Sequence, residues 1–181
     1  MFLLLLGLAL WMLAHLFKRV APARRAALGD PGKGLVAAGI GIGVVLMVLG
    51  YRAMDYIPLW TAPSWGVGVN NFLMFLAIAL FGAGSSKGRA RSLFRHPMLM
   101  GLTTWAVAHL LVNGDLASLL LFGGLGLWAI ATILIINTKE PAWTRPEPGP
   151  ILGDIKLFVI TTVLYVVITL IHGWIGPSPF A

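Results

Sequence analysis

Apolar positions in this chain fall into six long runs, separated by short segments that are polar or rich in proline. A membrane-spanning helix needs about 20 mainly apolar residues, with a range of about 17–25. The two longest runs meet this length and the others lie near its lower limit. The pattern therefore predicts an all-α polytopic membrane helix bundle, a single domain over residues 1–181. The six predicted transmembrane helices are Phe2–Phe17, Leu35–Tyr51, Val67–Ala83, Pro97–Val112, Leu116–Ile136 and Leu157–Trp174.

Basic residues are distributed very unevenly between the loops. Of 13 Lys and Arg residues, all but Arg52 lie in the loops that follow the first, third and fifth runs. Cytoplasmic loops of membrane proteins carry an excess of Lys and Arg, so we expect these three loops inside and both termini on the other side. The basic residues of these loops are Lys18, Arg19, Arg24, Arg25, Lys33, Lys87, Arg89, Arg91, Arg95, Lys139, Arg145 and Lys156.

Composition excludes several classes of protein. The chain is 59% hydrophobic and 10% charged, whereas soluble domains carry about 25% charged residues. The net charge of +7 is explained by the topology, so we expect no nucleic-acid binding. The absence of cysteine excludes a disulfide framework and a thiolate metal site. The basic residues follow the first apolar run and do not precede it, which indicates a membrane anchor and not a cleaved signal peptide.

Two local signals predict how helices pack and start. Gly39 and Gly43 have the G-x-x-x-G spacing, which favours close contact between helices over contact with a flat ligand. At the start of the fifth run, Asn113 and Gly114 predict a tight turn with a positive φ. Asp115 follows this turn and is expected to cap the helix that begins at the next residue. These structural roles are sufficient for all five residues.

The four histidines, His15, His96, His109 and His172, lie within the apolar runs or one residue outside them. An unsatisfied polar group in hydrocarbon costs several kcal/mol, so intramembrane histidines are candidates for function. Each one could instead form a hydrogen bond to a neighbouring helix. As a set they suit a b-type haem, whose iron takes axial imidazoles without any Cys-x-x-Cys-His attachment. Zinc is less favoured, because no H-E-x-x-H spacing is present, and no catalytic residue is predicted.

A long motif resembles the NnrU family. It runs through Arg95-His96-Pro97 and Gly101, Trp105, Ala108-His109, Asn113-Gly114-Asp115 and Ser118. The family is named from loci for nitrite and nitric oxide reduction, which implies a protein of the bacterial inner membrane linked to denitrification. Its plant and cyanobacterial relatives are zeta-carotene isomerases, integral membrane haem b proteins that convert a cis double bond to trans.

The resemblance also implies site residues. The proposed axial histidines of the isomerases match His15 and His109, which would bind the haem iron. The isomerases have a cysteine three residues before the second histidine, where this chain has Ala106. The shorter pattern R-H-P-x-x-x-G, which starts at Arg95, is also similar to membrane methyltransferases of the isoprenylcysteine type.

Depth in the membrane favours different histidine pairs. His96 and His109 are thirteen residues apart on one predicted helix, hence about 20 Å apart in depth, and cannot bind one iron. With the predicted topology, depth pairs His15 with His96 or His109 with His172. A tilt or a break at Gly7 in the first helix would permit the pairing implied by the resemblance. Because the resemblance rests on a long motif and the depth argument on ideal helices, we predict the pair that the resemblance implies, His15 and His109, with His96 and His172 as alternatives.

The leading functional hypothesis is an integral membrane b-type haem protein, linked by resemblance to nitrite and nitric oxide metabolism. The alternatives are a haem-dependent cis–trans isomerase of a polyene, a non-enzymatic assembly factor for a membrane oxidoreductase and, as a minor one, a membrane methyltransferase. The expected partners are the lipid bilayer and a small or lipidic ligand.

Overall fold

The computed structural model describes residues 1–180, and in this part of the chain the regular structure is helical apart from an isolated bridge between Pro58 and Asp115. A short 3₁₀ helix, Ala90–Ser92, lies in one of the loops. The main helices are α1 (Phe2–Val20), α2 (Pro22–Ala27), α3 (Pro31–Arg52), α4 (Gly66–Ala83), α5 (Pro97–Val112), α6 (Leu116–Lys139) and α7 (Ile151–Ile175).

Five of these helices, α1, α3, α4, α6 and α7, are long and apolar enough to cross a membrane. The remaining predicted span, the fourth in chain order, corresponds to α5, a shorter apolar helix of 16 residues, or about 24 Å. Helix α7 exposes a continuous apolar surface, which suits contact with lipid. The predicted all-α membrane fold is confirmed. The α7 residues that are more than half exposed include Ile155, Phe158, Val159, Ile160 and Val163.

The observed helix boundaries agree best with the predicted ones where an apolar run ends at a proline or a turn. The helix Pro97–Val112 has the predicted bounds, whereas α3 and α7 begin four and six residues before the predicted starts. Pro31 occupies the first turn of α3, where its fixed φ suits a helix. Asp154 lies in the first turn of α7, where a carboxylate is favoured by the helix dipole. The short α2 within the first basic loop was not predicted.

The chain divides into two compact units. Unit 1 comprises Met1–Leu59 and Asp115–Gly124, and unit 2 comprises Trp60–Gly114 and the chain from Leu125 onward. Helix α6 therefore begins in unit 1 and continues in unit 2.

In unit 1, α1 and α3 are antiparallel and their backbones lie in close contact. A Cβ built on Gly43 would lie 2.9 Å from Cβ of Trp11 and 3.0 Å from the carbonyl oxygen of Gly7. A Cβ on Gly39 would lie 3.4 Å from Cβ of Ala14, whereas one on Gly41 would meet no atom within 4 Å. The predicted G-x-x-x-G contact is thus confirmed. Helix α1 is continuous from Phe2 to Val20, without a break at Gly7.

In unit 2, α4 packs antiparallel against both α5 and α7. A Cβ on Gly101 of α5 would lie 3.0 Å from the carbonyl oxygen of Ala77 in α4. On another face of α4, the Phe75 ring makes edge contacts with Phe158 and Tyr165 of α7, with ring centroids 5.9 and 5.7 Å apart. These contacts bring the start of α4 to the same side of the unit as the ends of α5 and α7. The proline-rich loop Glu140–Pro150 has no helix or strand.

Candidate functional site

His15 lies on α1, and one of its ring nitrogens is hydrogen-bonded to the backbone of the same helix. Its Nδ1 lies 2.9 Å from the carbonyl oxygen of Trp11, one turn earlier. A carbonyl can only accept, so Nδ1 carries the proton, and the neutral ring has its lone pair on Nε2. The Trp11 indole lies against the imidazole, with ring centroids 3.9 Å apart. The tautomer and the orientation of this imidazole are therefore constrained locally.

His109 in α5 repeats this arrangement. Its Nδ1 lies 3.0 Å from the carbonyl oxygen of Trp105, and the two ring centroids are 4.9 Å apart. Both histidines close the same local sequence, W-x-x-A-H, so the helix geometry is matched as well. Histidines that bind metals usually donate their other ring N–H to a carboxylate or a backbone carbonyl. His15 and His109 both have this anchoring bond.

His172 lies near the end of α7, in unit 2 with His109. Its Nδ1 donates to the carbonyl oxygen of Pro177 at 2.9 Å, within the segment that follows the helix. His109 and His172 lie near the ends of α5 and α7, on the same side of unit 2, while His15 belongs to unit 1.

His96 has a different environment, because its Nε2 contacts a side chain. This atom lies 2.8 Å from Oδ1 of Asn137 near the end of α6. The neighbouring Arg95 donates to the backbone carbonyls of Glu140, Pro141 and Ala142. Both polar residues of the R-H-P motif therefore connect the start of α5 to the end of α6. This structural role is sufficient for the motif that resembles the methyltransferases.

A buried polar network lies at the start of α6 in unit 1. Asp115 accepts hydrogen bonds from the backbone N–H of Ser118 at 3.0 Å and from its hydroxyl at 2.6 Å. The Ser118 hydroxyl also lies 2.9 Å from the hydroxyl of Tyr51 in α3. The predicted helix cap at Asp115 is confirmed. Tyr51 was missed, because no local signal relates residues 67 positions apart.

The predicted positive φ before this cap was wrong, since among residues 1–180 only Gly29 has one. Gly114 instead meets the backbone of Trp60, whose N–H donates to its carbonyl at 3.1 Å. A Cβ on Gly114 would lie 2.8 Å from the carbonyl carbon of Trp60 and would overlap its oxygen. Glycine is required there because two segments of the chain approach closely, and not because of its backbone angle.

Taken over residues 1–180, no three His, Cys, Asp or Glu side chains come together as a group that could hold a metal ion. A structural zinc site would require four protein ligands and a catalytic one three. Axial ligation of a haem requires one or two protein side chains.

The apolar helices define a polytopic α-helical membrane protein with histidines in its spanning segments. The chain belongs to the NnrU family, because the family model described as NnrU protein matches residues 3–179. The resemblance inferred from the motif is confirmed over nearly the whole chain. No curated protein and no solved structure matches the chain significantly.

Proposed function

We propose that this NnrU-family protein binds a b-type haem in the membrane, with His15 and His109 as its axial ligands. The observation that supports the proposal is the matched local geometry of these two residues. Each anchors Nδ1 on the carbonyl of the tryptophan one turn earlier, and each ring lies against that indole. Neither His96 nor His172 has this arrangement.

The residues fit the chemistry of the group. A haem without thioether attachment is held by axial nitrogens and by an apolar environment. Both features also set its redox potential. With the proton on Nδ1, each imidazole carries on Nε2 the lone pair that an iron ion takes. A bound haem would supply one-electron chemistry, and it would bind a small gas such as nitric oxide if one of the two imidazoles dissociates from the iron. The link to nitrite and nitric oxide metabolism is part of the proposal and rests on the family.

The protein's own contribution is to hold and orient the two imidazoles. A ligand histidine without its anchoring hydrogen bond would lose rotational restraint and basicity. The tryptophan rings limit the same rotation from the side. Helices α1 and α5, which carry the two imidazoles, are apolar, and a lipid bilayer around them would exclude water and strengthen electrostatic interactions.

The test is an optical spectrum of the full chain purified in detergent, with haem supplied during expression. We expect a Soret band that shifts on reduction with dithionite. His15→Ala and His109→Ala should each lose most of the band, whereas His96→Ala and His172→Ala should retain it. Far-UV circular dichroism of all four variants shows whether they remain folded.

Two outcomes would contradict the proposal in different ways. A folded, colourless wild-type protein would exclude haem and would favour an assembly role. Loss of haem in His109→Ala and His172→Ala, with retention in His15→Ala, would replace the ligand pair by the two histidines that lie on the same side of unit 2.

The proposal includes a location in the bacterial inner membrane with both termini in the periplasm. The uneven distribution of basic residues between the loops supports it. Reporter fusions within the loop after α1 and after the last residue test it. A cytoplasmic readout from the C-terminal fusion would contradict the six-span topology.

A further inference from the structure

Two loops of unit 2 are in contact on the side of the unit where α4 ends and where α5 and α7 begin. We call them the inner clasp, residues 86–95 and 140–154. Their backbones touch, since a Cβ on Gly88 would lie 2.5 Å from the backbone nitrogen of Asp154. The Asp154 carboxylate accepts from the N–H of Ala90 at 3.0 Å, and Arg145 Nε donates to the carbonyl of Ser92 at 2.6 Å. The clasp is therefore an ordered surface.

The clasp exposes cationic and apolar side chains side by side. The side chains of Lys87, Arg89 and Arg91 are exposed. Leu93 and Phe94, which follow Arg91 after one buried residue, Ser92, are 56% and 37% exposed. Arg95 and Arg145, in contrast, donate hydrogen bonds to backbone carbonyls within the clasp. The clasp contains five basic and three acidic residues.

The position of this surface decides its partner. Only the residues between Ala83, the last of α4, and Pro97, the first of α5, separate the two spans, so the segment lies at the membrane surface. Leu93 and Phe94 are next to the start of α5 and hence next to hydrocarbon. The basic residues precede them and lie farther from that helix, at the depth of lipid headgroups. An anionic phospholipid offers both a phosphate and acyl chains, whereas an acidic protein segment offers only the charge.

We propose that the inner clasp is a binding site for anionic phospholipid. Arg89 and Arg91 bind the headgroup phosphate, with Lys87 adding charge, and Leu93 and Phe94 contact the acyl chains. Basic residues at a membrane surface attract anionic lipid individually and in sum. Because the clasp is held by its own hydrogen bonds, little ordering is needed on binding. This site is independent of haem.

The experiment is native mass spectrometry of the full chain released from nanodiscs that contain equal amounts of phosphatidylcholine and phosphatidylglycerol. We expect wild-type protein to retain phosphatidylglycerol preferentially. The double variant Arg89→Gln/Arg91→Gln should weaken this retention on the order of tenfold. The control Lys18→Gln/Arg24→Gln removes the same charge from exposed positions of the first basic loop and should leave the retention largely unchanged. Leu93→Ser/Phe94→Ser should also weaken it, because the acyl contact is lost.

Each alternative has its own signature. Equal retention of the two lipids by wild-type protein, or equal losses in the two charge-removing variants, would overturn the proposal. Competition by glycerol 3-phosphate as effective as that by the lipid would show a site for free phosphate. Loss with Arg89→Gln/Arg91→Gln but not with Leu93→Ser/Phe94→Ser would overturn the assigned acyl contact and leave a site for the headgroup alone. Circular dichroism confirms the fold of each variant.

Discussion

The α1–α3 pair and the inner clasp show two different ways of joining chain segments. Between α1 and α3 the contact is made by glycines and backbone atoms, with Gly7 and Gly43 at its centre. In the clasp, the contact is made largely by side chains that donate to or accept from backbone groups, with Arg95, Asp154 and Arg145 as the main ones.

The difference follows from the surroundings of the two regions. Helix backbones satisfy their own hydrogen bonds and lipid gives no hydrophobic driving force, so spans associate through close packing of small residues. A loop has unpaired carbonyl and N–H groups that need partners. The guanidinium group, with five donors in a fixed plane, can satisfy several carbonyls at once. Substitutions that enlarge a residue should therefore damage the first region, and substitutions that remove a donor should damage the second.

Gly50→Val should have the largest effect. A Cβ on Gly50 would overlap the backbone nitrogen of Leu4 and lie 2.6 Å from its Cα, so α1 and α3 would have to separate. Because neither backbone can yield locally, we expect a loss of about 3 kcal/mol in the free energy of unfolding. Unfolding of the detergent-solubilised protein, followed by tryptophan fluorescence, measures it.

The matched control is Gly41→Val, on the same helix but with no atom within 4 Å of its Cβ. Its effect on stability should stay below about 0.5 kcal/mol. Similar losses for the two variants would mean that glycine content, and not the contact with α1, determines the stability of α3.

Arg95→Gln should have an intermediate and local effect. The variant loses charged hydrogen bonds to three consecutive carbonyls, those of Glu140, Pro141 and Ala142. Hydrogen bonds to charged groups contribute about 2 kcal/mol, so the loop Glu140–Pro150 should open more often. Chymotrypsin cleavage after Trp143 should become about tenfold faster or more, since cleavage follows the population of the open form.

Arg91→Gln is the control for this experiment, because Arg91 is exposed in the same segment. It should leave the cleavage rate nearly unchanged. If both variants are cleaved equally fast, the carbonyl contacts of Arg95 do not hold the loop.

Tyr51→Phe should have the smallest effect and tests whether a polar contact also stabilises unit 1. The change removes the hydroxyl that lies 2.9 Å from that of Ser118. We expect a loss of about 1 kcal/mol, typical of one neutral hydrogen bond. In a double-mutant cycle with Ser118→Ala, the two changes should be less than additive. Tyr56→Phe, at a tyrosine 75% exposed, should have no effect, and additivity in the cycle would show that the contact contributes nothing.

Helix positions could be predicted because the signal is local. Each predicted span corresponds to an observed helix, and the largest differences are the early starts of α3 and α7. Those starts contain charged residues, such as Lys33 and Asp154, that a hydrophobicity criterion rejects. A helix can nevertheless extend beyond the hydrocarbon, where charged side chains reach water or headgroups.

The candidate site was only partly predictable. The four histidines stand out because charged and polar residues are scarce in the spans. The repeated W-x-x-A-H pattern is also readable in the sequence, since residues four apart share a helix face. The contact of His96 with Asn137 spans 41 positions, and no local pattern indicates it.

The sequence alone determined that this is an all-α membrane protein of the NnrU family, where its spans lie, and that Asp115 caps α6. These properties depend on composition, period and near neighbours along the chain. The tertiary structure alone decided that Gly114 meets Trp60, that Tyr51 joins the Asp115 network and that Arg95 holds the loop after α6. Each of these is a contact between distant positions. Such contacts depend on how the helices pack, which hydrophobic periodicity along one segment does not specify.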